Sequence, residues 1–252
     1  MRKVHLRPVW WAVGGTAAVI AVAAITGLSP AGWAVGGAYL AGSSILLSRG
    51  LRRHGASRLG PANAVTATRS AIVGVVAALV ATSFTGSPPV PLLVALASIA
   101  LALDGLDGYV ARRSGSASEL GARFDMEVDA FLILVLSVYD ARTVGGWVLV
   151  LGLLRYAFVA ASWVLPWMRR SLPARHWRKV AAAAGGIALT VAATGLLPPP
   201  VAALLLLASL GLLVESFGRD VIWLVRMNRN GSGLVSPAKT VRRTDREESR
   251  ET

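Results

Sequence analysis

Of the 13 acidic residues in the chain, six lie between positions 104 and 129: Asp104, Asp107, Glu119, Asp125, Glu127 and Asp129. Their spacing is helical. Asp104, Asp107, Gly108, Ala111 and Arg112 fall at i, i+3, i+4, i+7 and i+8, which is one continuous helix face, and Gly121, Asp125 and Asp129 follow at i, i+4 and i+8 on another. A packing stripe would carry Leu or Val at such positions. Here stand carboxylates, very small residues and an arginine. Residues 113–120 form a short connection, so the two helices are expected to be antiparallel neighbours whose faces meet. Four carboxylates would then converge on a pocket floored by glycine and alanine. They cannot all ionise at close range without a cation. Oxygen donors, in a chain with no Cys and no His near this stretch, select a hard ion, Mg²⁺ or Mn²⁺, which shares its remaining positions with phosphate oxygens. Two such ions can bridge a diphosphate and stabilise its leaving group. The small residues leave room for a flat base or sugar, and Arg112 can neutralise a phosphate. The pattern reads as a diphosphate pocket.

The elements that must position these residues are membrane helices. The 252 residues are 54% hydrophobic and 15% charged, with mean hydropathy +0.59, whereas an average soluble domain is about 25% charged. Apolar stretches at 9–28, 31–48, 65–84, 90–110, 120–139, 144–166, 178–197 and 200–225 each suit a hydrocarbon core ~30 Å thick. An all-α, polytopic chain of eight spans is predicted, the third carrying Arg69 near its start. A carboxylate at that depth is costly and marks function. Basic residues alternate between connections. Arg2, Lys3 and Arg7 precede the first span, Arg49, Arg52, Arg53 and Arg58 follow the second, Arg112 and Arg113 the fourth, and Arg169, Arg170, Arg175, Arg178 and Lys179 the sixth. The other connections (29–30, 85–91, 140–145 and 196–200) hold one basic residue, Arg142. The positive-inside rule then places both termini and the acidic pocket at the cytoplasmic face of the cell membrane. The net charge of +13 is thus an orientation signal with some pull on anionic headgroups, not a nucleic-acid footprint. The apolar run after Arg7 is long for a secretory signal core. Residues 228–252 lack an apolar period and are expected to be a disordered tail. The absence of cysteine excludes disulfides and thiolate chemistry.

Asp104-x-x-Asp107-Gly108-x-x-Ala111-Arg112, eight residues, then Gly121-x-x-x-Asp125-x-x-x-Asp129 resembles the signature of the CDP-alcohol phosphotransferases, also called CDP-alcohol phosphatidyltransferases. Eight positions match, and a chance match per start site is on the order of 10⁻⁹ at typical residue frequencies. The resemblance implies a six-helix core over residues 59–227, with residues 1–58 adding two N-terminal helices and a basic loop. It further implies that Asp104, Asp107, Asp125 and Asp129 hold two Mg²⁺ ions and that Asp129 is general base toward an acceptor hydroxyl. Gly108 and Arg112 would contact the cytidine diphosphate, with Ala111 and Gly121 leaving it space. The segment from Pro61 to Arg69 resembles the family's element at the start of its first core helix, which implies nucleotide contacts from Asn63 and Thr66. Ser118 sits where another contact is expected. For Asn63, a helix N-cap is the plainer reading.

The implied reaction moves a phosphatidyl group from a CDP-alcohol, most simply CDP-diacylglycerol, to an acceptor alcohol with release of CMP, in phospholipid biosynthesis. Arg155, inside an apolar span, is expected to face the cavity and with Arg175, Arg178 and Lys179 to receive a phosphate on a polyol-phosphate acceptor such as glycerol 3-phosphate or an inositol phosphate. The plainer reading is that the residues at 175–179 mark the cytoplasmic side and that Arg155 pairs with a motif carboxylate. Glu215, Arg219 and Asp220 are spaced to pair among themselves, and Glu127 has no assigned role. A homodimer is implied by the resemblance alone. Two other readings compete. An intramembrane prenyltransferase also holds Mg-diphosphate with aspartates, but on well-separated helices. A cation or proton transporter would place its carboxylates near the bilayer midplane.

Overall fold

A computed structural model describes residues 14, 17–18, 20–22, 24–53, 61–114, 119–169 and 176–232. Side chains at 50–53, 61–64, 106–114, 119–120, 176 and 230–232 lie outside this description. The described residues are helical, with no strand. Helix α1 falls between residues 14 and 26. It is followed by α2 (Pro30–Arg53), α3 (Pro61–Thr82), α4 (Val90–Ser114), α5 (Glu119–Asp140), α6 (Leu149–Val164), α7 (His176–Ala193) and α8 (Pro199–Ser232). Single 3-10 turns at Gly146–Val148 and Pro166–Arg169 flank α6. The boundaries follow local chemistry. Pro30 opens α2 behind Ser29, whose Oγ accepts the Gly32 N–H at 3.1 Å. Gly195, left-handed at φ 68°, ends α7, and prolines restart the chain into α8.

Among the described residues three helices are long and apolar enough to cross a membrane: Val65–Thr82, Gly146–Val164 and Pro199–Arg229, with Val90–Gly105 a shorter apolar run. Residues 228–232, expected within the tail, are helical, and residues 233–252 lie outside the described residues. Helix α8 continues through Ser232, with Arg229 in its last turn favourably placed against the helix dipole.

Helix α3 is the centre of the bundle. Val73, Val76, Ala78 and Leu79 have no exposed surface, because α2, α4 and α5 all pack on it. Small residues allow the close approach. A Cβ on Gly36 would lie 2.9 Å from the Ala78 Cβ, and one on Gly74 would lie 3.0 Å from Leu40 Cδ2. In lipid such contacts hold helices together by packing rather than by escape from water. Helices α5 and α6 approach as closely, since a Cβ on Gly152 would lie 2.5 Å from Leu134 Cα. The outer faces of α6 and α8 expose Leu153, Trp163, Val164, Leu204 and Leu207, an apolar surface suited to acyl chains.

Helices α4 and α5, expected as neighbours whose acidic faces meet, touch only sparsely but do so at the acidic residues, and α3 packs extensively on both. At the opposite end of α3, Arg142 donates to the Ser83 Oγ at 2.7 Å and sits 4.9 Å from the centroid of the Phe84 ring, tying the connection after α5 to the one after α3.

Candidate active site

Arg69 is an arginine on the most buried helix, with no exposed surface of its own. A guanidinium there needs carboxylates to compensate it, and three are present. Arg69 Nη1 lies 2.5 Å from Asp104 Oδ1 on α4 and 3.1 Å from Asp129 Oδ1 on α5. Its Nη2 pairs with the Asp125 carboxylate and donates to the Asp125 backbone oxygen at 3.2 Å. Three helices therefore meet through one cation, at the N-terminal end of α3, the C-terminal half of α4 and the N-terminal half of α5. Asp104, Asp125 and Asp129 each offer an oxygen within 4.8 Å of the others.

Were all three carboxylates ionised, the one guanidinium would offset a single one of their charges. Two carboxylates 4.8 Å apart repel by about 3 kcal/mol at an effective dielectric of ~20. The three side chains stay 30% to 40% exposed, so the cluster opens outward from a buried cation. Oxygens on opposite sides of one Mg²⁺ stand about 4 Å apart, so the donor set fits a hard divalent ion in chemistry and in spread.

Of the other expected site residues, Thr66 is buried one turn before Arg69, and Gly121 is partly buried one turn before Asp125. Asp107, Gly108, Ala111 and Arg112 continue α4 past Asp104, and Asn63 lies in the first turn of α3. The side chains of these five lie outside the described residues, as do Ser118 and Arg175 altogether. Arg155 pairs with Glu127. Glu127 is two residues from Asp125 and from Asp129, about 200° round the helix, so this pair lies on a different face of α5 from the three aspartates. The partner of Arg155 is thus a carboxylate, though not the motif carboxylate expected, and the pair gives Glu127 a contact. Arg219 pairs with Glu215 as spaced. Asp220 instead takes Arg178 at 3.3 Å, and Trp177 Nε1 donates to Glu215 at 2.6 Å. Lys179 is exposed.

Arg69 is the residue that sequence reasoning left without a role. The signal was present, an arginine inside an apolar span, but its partners stand 35, 56 and 60 positions away, and no periodicity connects them.

A family model, CDP-alcohol phosphatidyltransferase, matches residues 59–215. That stretch is more than half of the 252 residues and contains Arg69 and every motif position from Asp104 to Asp129. Helices α1 and α2 precede it. Neither a curated protein nor a solved structure matches the chain. With three motif aspartates gathered on one buried arginine inside the matched stretch, the chain belongs to the CDP-alcohol phosphatidyltransferase family, whose members are transferases of substituted phosphate groups acting on CDP-alcohols with a divalent metal.

Proposed function

We propose that the chain is an integral-membrane phosphotransferase that moves a phosphatidyl group from CDP-diacylglycerol to an acceptor alcohol and releases CMP. The observation that carries the reading is the cluster of Asp104, Asp125 and Asp129, within 4.8 Å of one another and anchored to a buried cation. Asp104, Asp107, Asp125 and Asp129 would hold two Mg²⁺ ions, with Mn²⁺ as a substitute. Bound there, the ions would neutralise the diphosphate and the charge developing on the departing CMP. Asp129 takes the proton from the acceptor hydroxyl. The acceptor oxygen attacks the phosphorus bearing the lipid alcohol, and the bond from that phosphorus to the CMP oxygen breaks. Gly108, Ala111, Arg112, Ser118, Gly121, Asn63 and Thr66 surround the nucleotide diphosphate. Arg69 keeps Asp104 on one helix and Asp125 and Asp129 on another aimed at a common point.

The proposed layout has eight spans, with both termini and the site at the cytoplasmic face of the cell membrane. The alternation of basic connections supports it. So does the clustering of Arg69, Asp104, Asp125 and Asp129 at one end of the bundle, with the Arg142–Ser83 link at the other. For the acceptor, a polyol phosphate remains the proposal. Lys179 is exposed to receive its phosphate, whereas at Arg155 and Arg178 the phosphate must compete with Glu127 and Asp220.

The test is CMP release by the purified full chain with Mg²⁺ and CDP-diacylglycerol, across glycerol 3-phosphate, inositol 1-phosphate, inositol, serine and phosphatidylglycerol. Release that depends on one acceptor and vanishes in Asp129→Asn is expected. No release from folded protein with any acceptor, including with a soluble CDP-alcohol and diacylglycerol as the substrate pair, refutes the activity.

A further inference from the structure

Helix α2 lies outside the stretch that matches the family, and nothing in its sequence carries chemistry. Its position says otherwise. Close contacts at Gly36 and Gly74 seat it against α3, and this seating delivers Tyr39 to the level of Arg69. The Tyr39 hydroxyl is 3.2 Å from the Oγ of Ser70, the buried residue that follows Arg69 on α3. The Tyr39 ring stacks on Phe131 of α5, centroids 4.3 Å apart and planes within 13°. Phe131 is two residues beyond Asp129. Gly74 is what allows the ring to lie against α3, because a Cβ there would come within 3.1 Å of Tyr39 Cδ1. Elsewhere α2 meets α5 only sparsely, so the aromatic stack is a main link between them. The hydroxyl is also within electrostatic reach of Arg69, Asp129 and Tyr156.

We infer that Tyr39 is a positioning residue of the acidic site: it braces α3 at Ser70 and α5 at Phe131, and so sets the spacing at which Arg69 meets Asp125 and Asp129. The inference rests on the proposed metal-binding role of the aspartates. It makes α2 a working part of the site instead of an appendage. A ligand set spread over two helices that scarcely touch is sensitive to helix spacing, and outer partners of metal ligands matter for that reason. The α3–α4 contact is extensive and secures Asp104. The α3–α5 spacing is where an additional brace acts.

The experiment uses the full chain in detergent and reads Mn²⁺ binding from loss of the free-ion electron paramagnetic resonance signal, with thermal unfolding recorded for every variant. Tyr39→Leu removes both the stack and the hydroxyl, and is expected to weaken Mn²⁺ binding about tenfold. Tyr39→Phe keeps the stack and is expected to recover most of that loss. Ser29→Ala is the control for general docking of α2. It removes the Ser29 Oγ contact to Thr82 at 3.3 Å, at the far end of the same helix pair, and is expected to lower the unfolding temperature while leaving Mn²⁺ affinity within about twofold. Binding that is lost in Asp129→Asn but unchanged in Tyr39→Leu overturns the brace and leaves the metal site standing. Equal weakening by Ser29→Ala and Tyr39→Leu at similar destabilisation also overturns it, because Tyr39 would then be an ordinary docking residue. Equal binding in wild type and Asp129→Asn overturns the metal reading and the brace together. Should Tyr39→Leu not fold, Phe131→Leu breaks the same stack from the α5 side, and unchanged Mn²⁺ affinity there refutes the inference.

Discussion

Replacing Arg69 by methionine keeps much of the side-chain volume and removes the cation that three helices share. At an effective dielectric of ~20, a guanidinium–carboxylate pair about 4 Å apart is worth about 4 kcal/mol. Three such contacts do not add to 12 kcal/mol or so, because the carboxylates are 30% to 40% exposed and are screened and hydrated once the cation is gone. Removing one partner of a buried ion pair costs roughly 3–5 kcal/mol. With that exposure we expect the lower end, about 3 kcal/mol, in the absence of divalent ions. A ligand at 100 times its Kd stabilises the native state by about 2.7 kcal/mol, so Mg²⁺ bound among the carboxylates should recover much of the loss. The assay is thermal unfolding of wild type and Arg69→Met in detergent, with EDTA and across a Mg²⁺ series. The variant should unfold on the order of 10 °C below wild type in EDTA, and the gap should narrow as Mg²⁺ rises. Arg69→Lys should lie between, since a single ammonium cannot span three carboxylates as the planar guanidinium does. If Arg69→Met unfolds with wild type in EDTA, the guanidinium does not hold the carboxylates together. If the gap is unaffected by Mg²⁺, the ion does not take over the role of the guanidinium among the carboxylates.

Two further predictions concern groups outside that cluster. Glu127→Gln removes the partner of Arg155 in a pair that is half exposed at the carboxylate and points away from the aspartate face. CMP release should stay within about twofold of wild type and stability within ~1 kcal/mol, and a collapse of activity would place Glu127 in the site after all. Asp140, the last residue of α5 just beyond the fifth apolar span, is fully buried, and its two carboxylate oxygens have no hydrogen-bond partner among the described residues. Burial pushes its carboxyl up to about 8, so the folded state binds this proton more tightly than the unfolded chain does. Its contribution is therefore fully present below the unfolded value near 4 and is lost as pH rises toward 8. Asp140→Asn should consequently unfold at a higher temperature than wild type at pH 8, the advantage shrinking toward pH 4. A pH-independent difference would refute the assignment.

Much of this protein is legible from its residues taken in order. Helical spacing put Asp104 on one face and Asp125 and Asp129 on another, because a 3.6-residue period is a local property of the chain. The placement of α2 to α8 follows in the same way from apolar runs ended by Gly, Pro and charge, with boundary shifts of a few residues and a longer α8. Oxygen-only donors in a chain without cysteine already pointed to a hard ion.

Tertiary structure decided which faces meet, and through what. A short connection suggested that the acidic faces of α4 and α5 would meet, and they do at Asp104, Asp125 and Asp129, but each helix packs more extensively on α3, whose buried Arg69 needs carboxylates from both. Arg155 and Arg178 were single charges in the sequence, and only packing assigned them Glu127 and Asp220. Tyr39 carried no signal, being an aromatic residue on a helix outside the recognisable core, until the glycines beneath it brought its ring and hydroxyl against two helices of the site. Spacing along one helix is set by the backbone itself. A contact between residues dozens of positions apart is set by how volumes fill and charges balance across several helices at once, and only the folded chain contains that information.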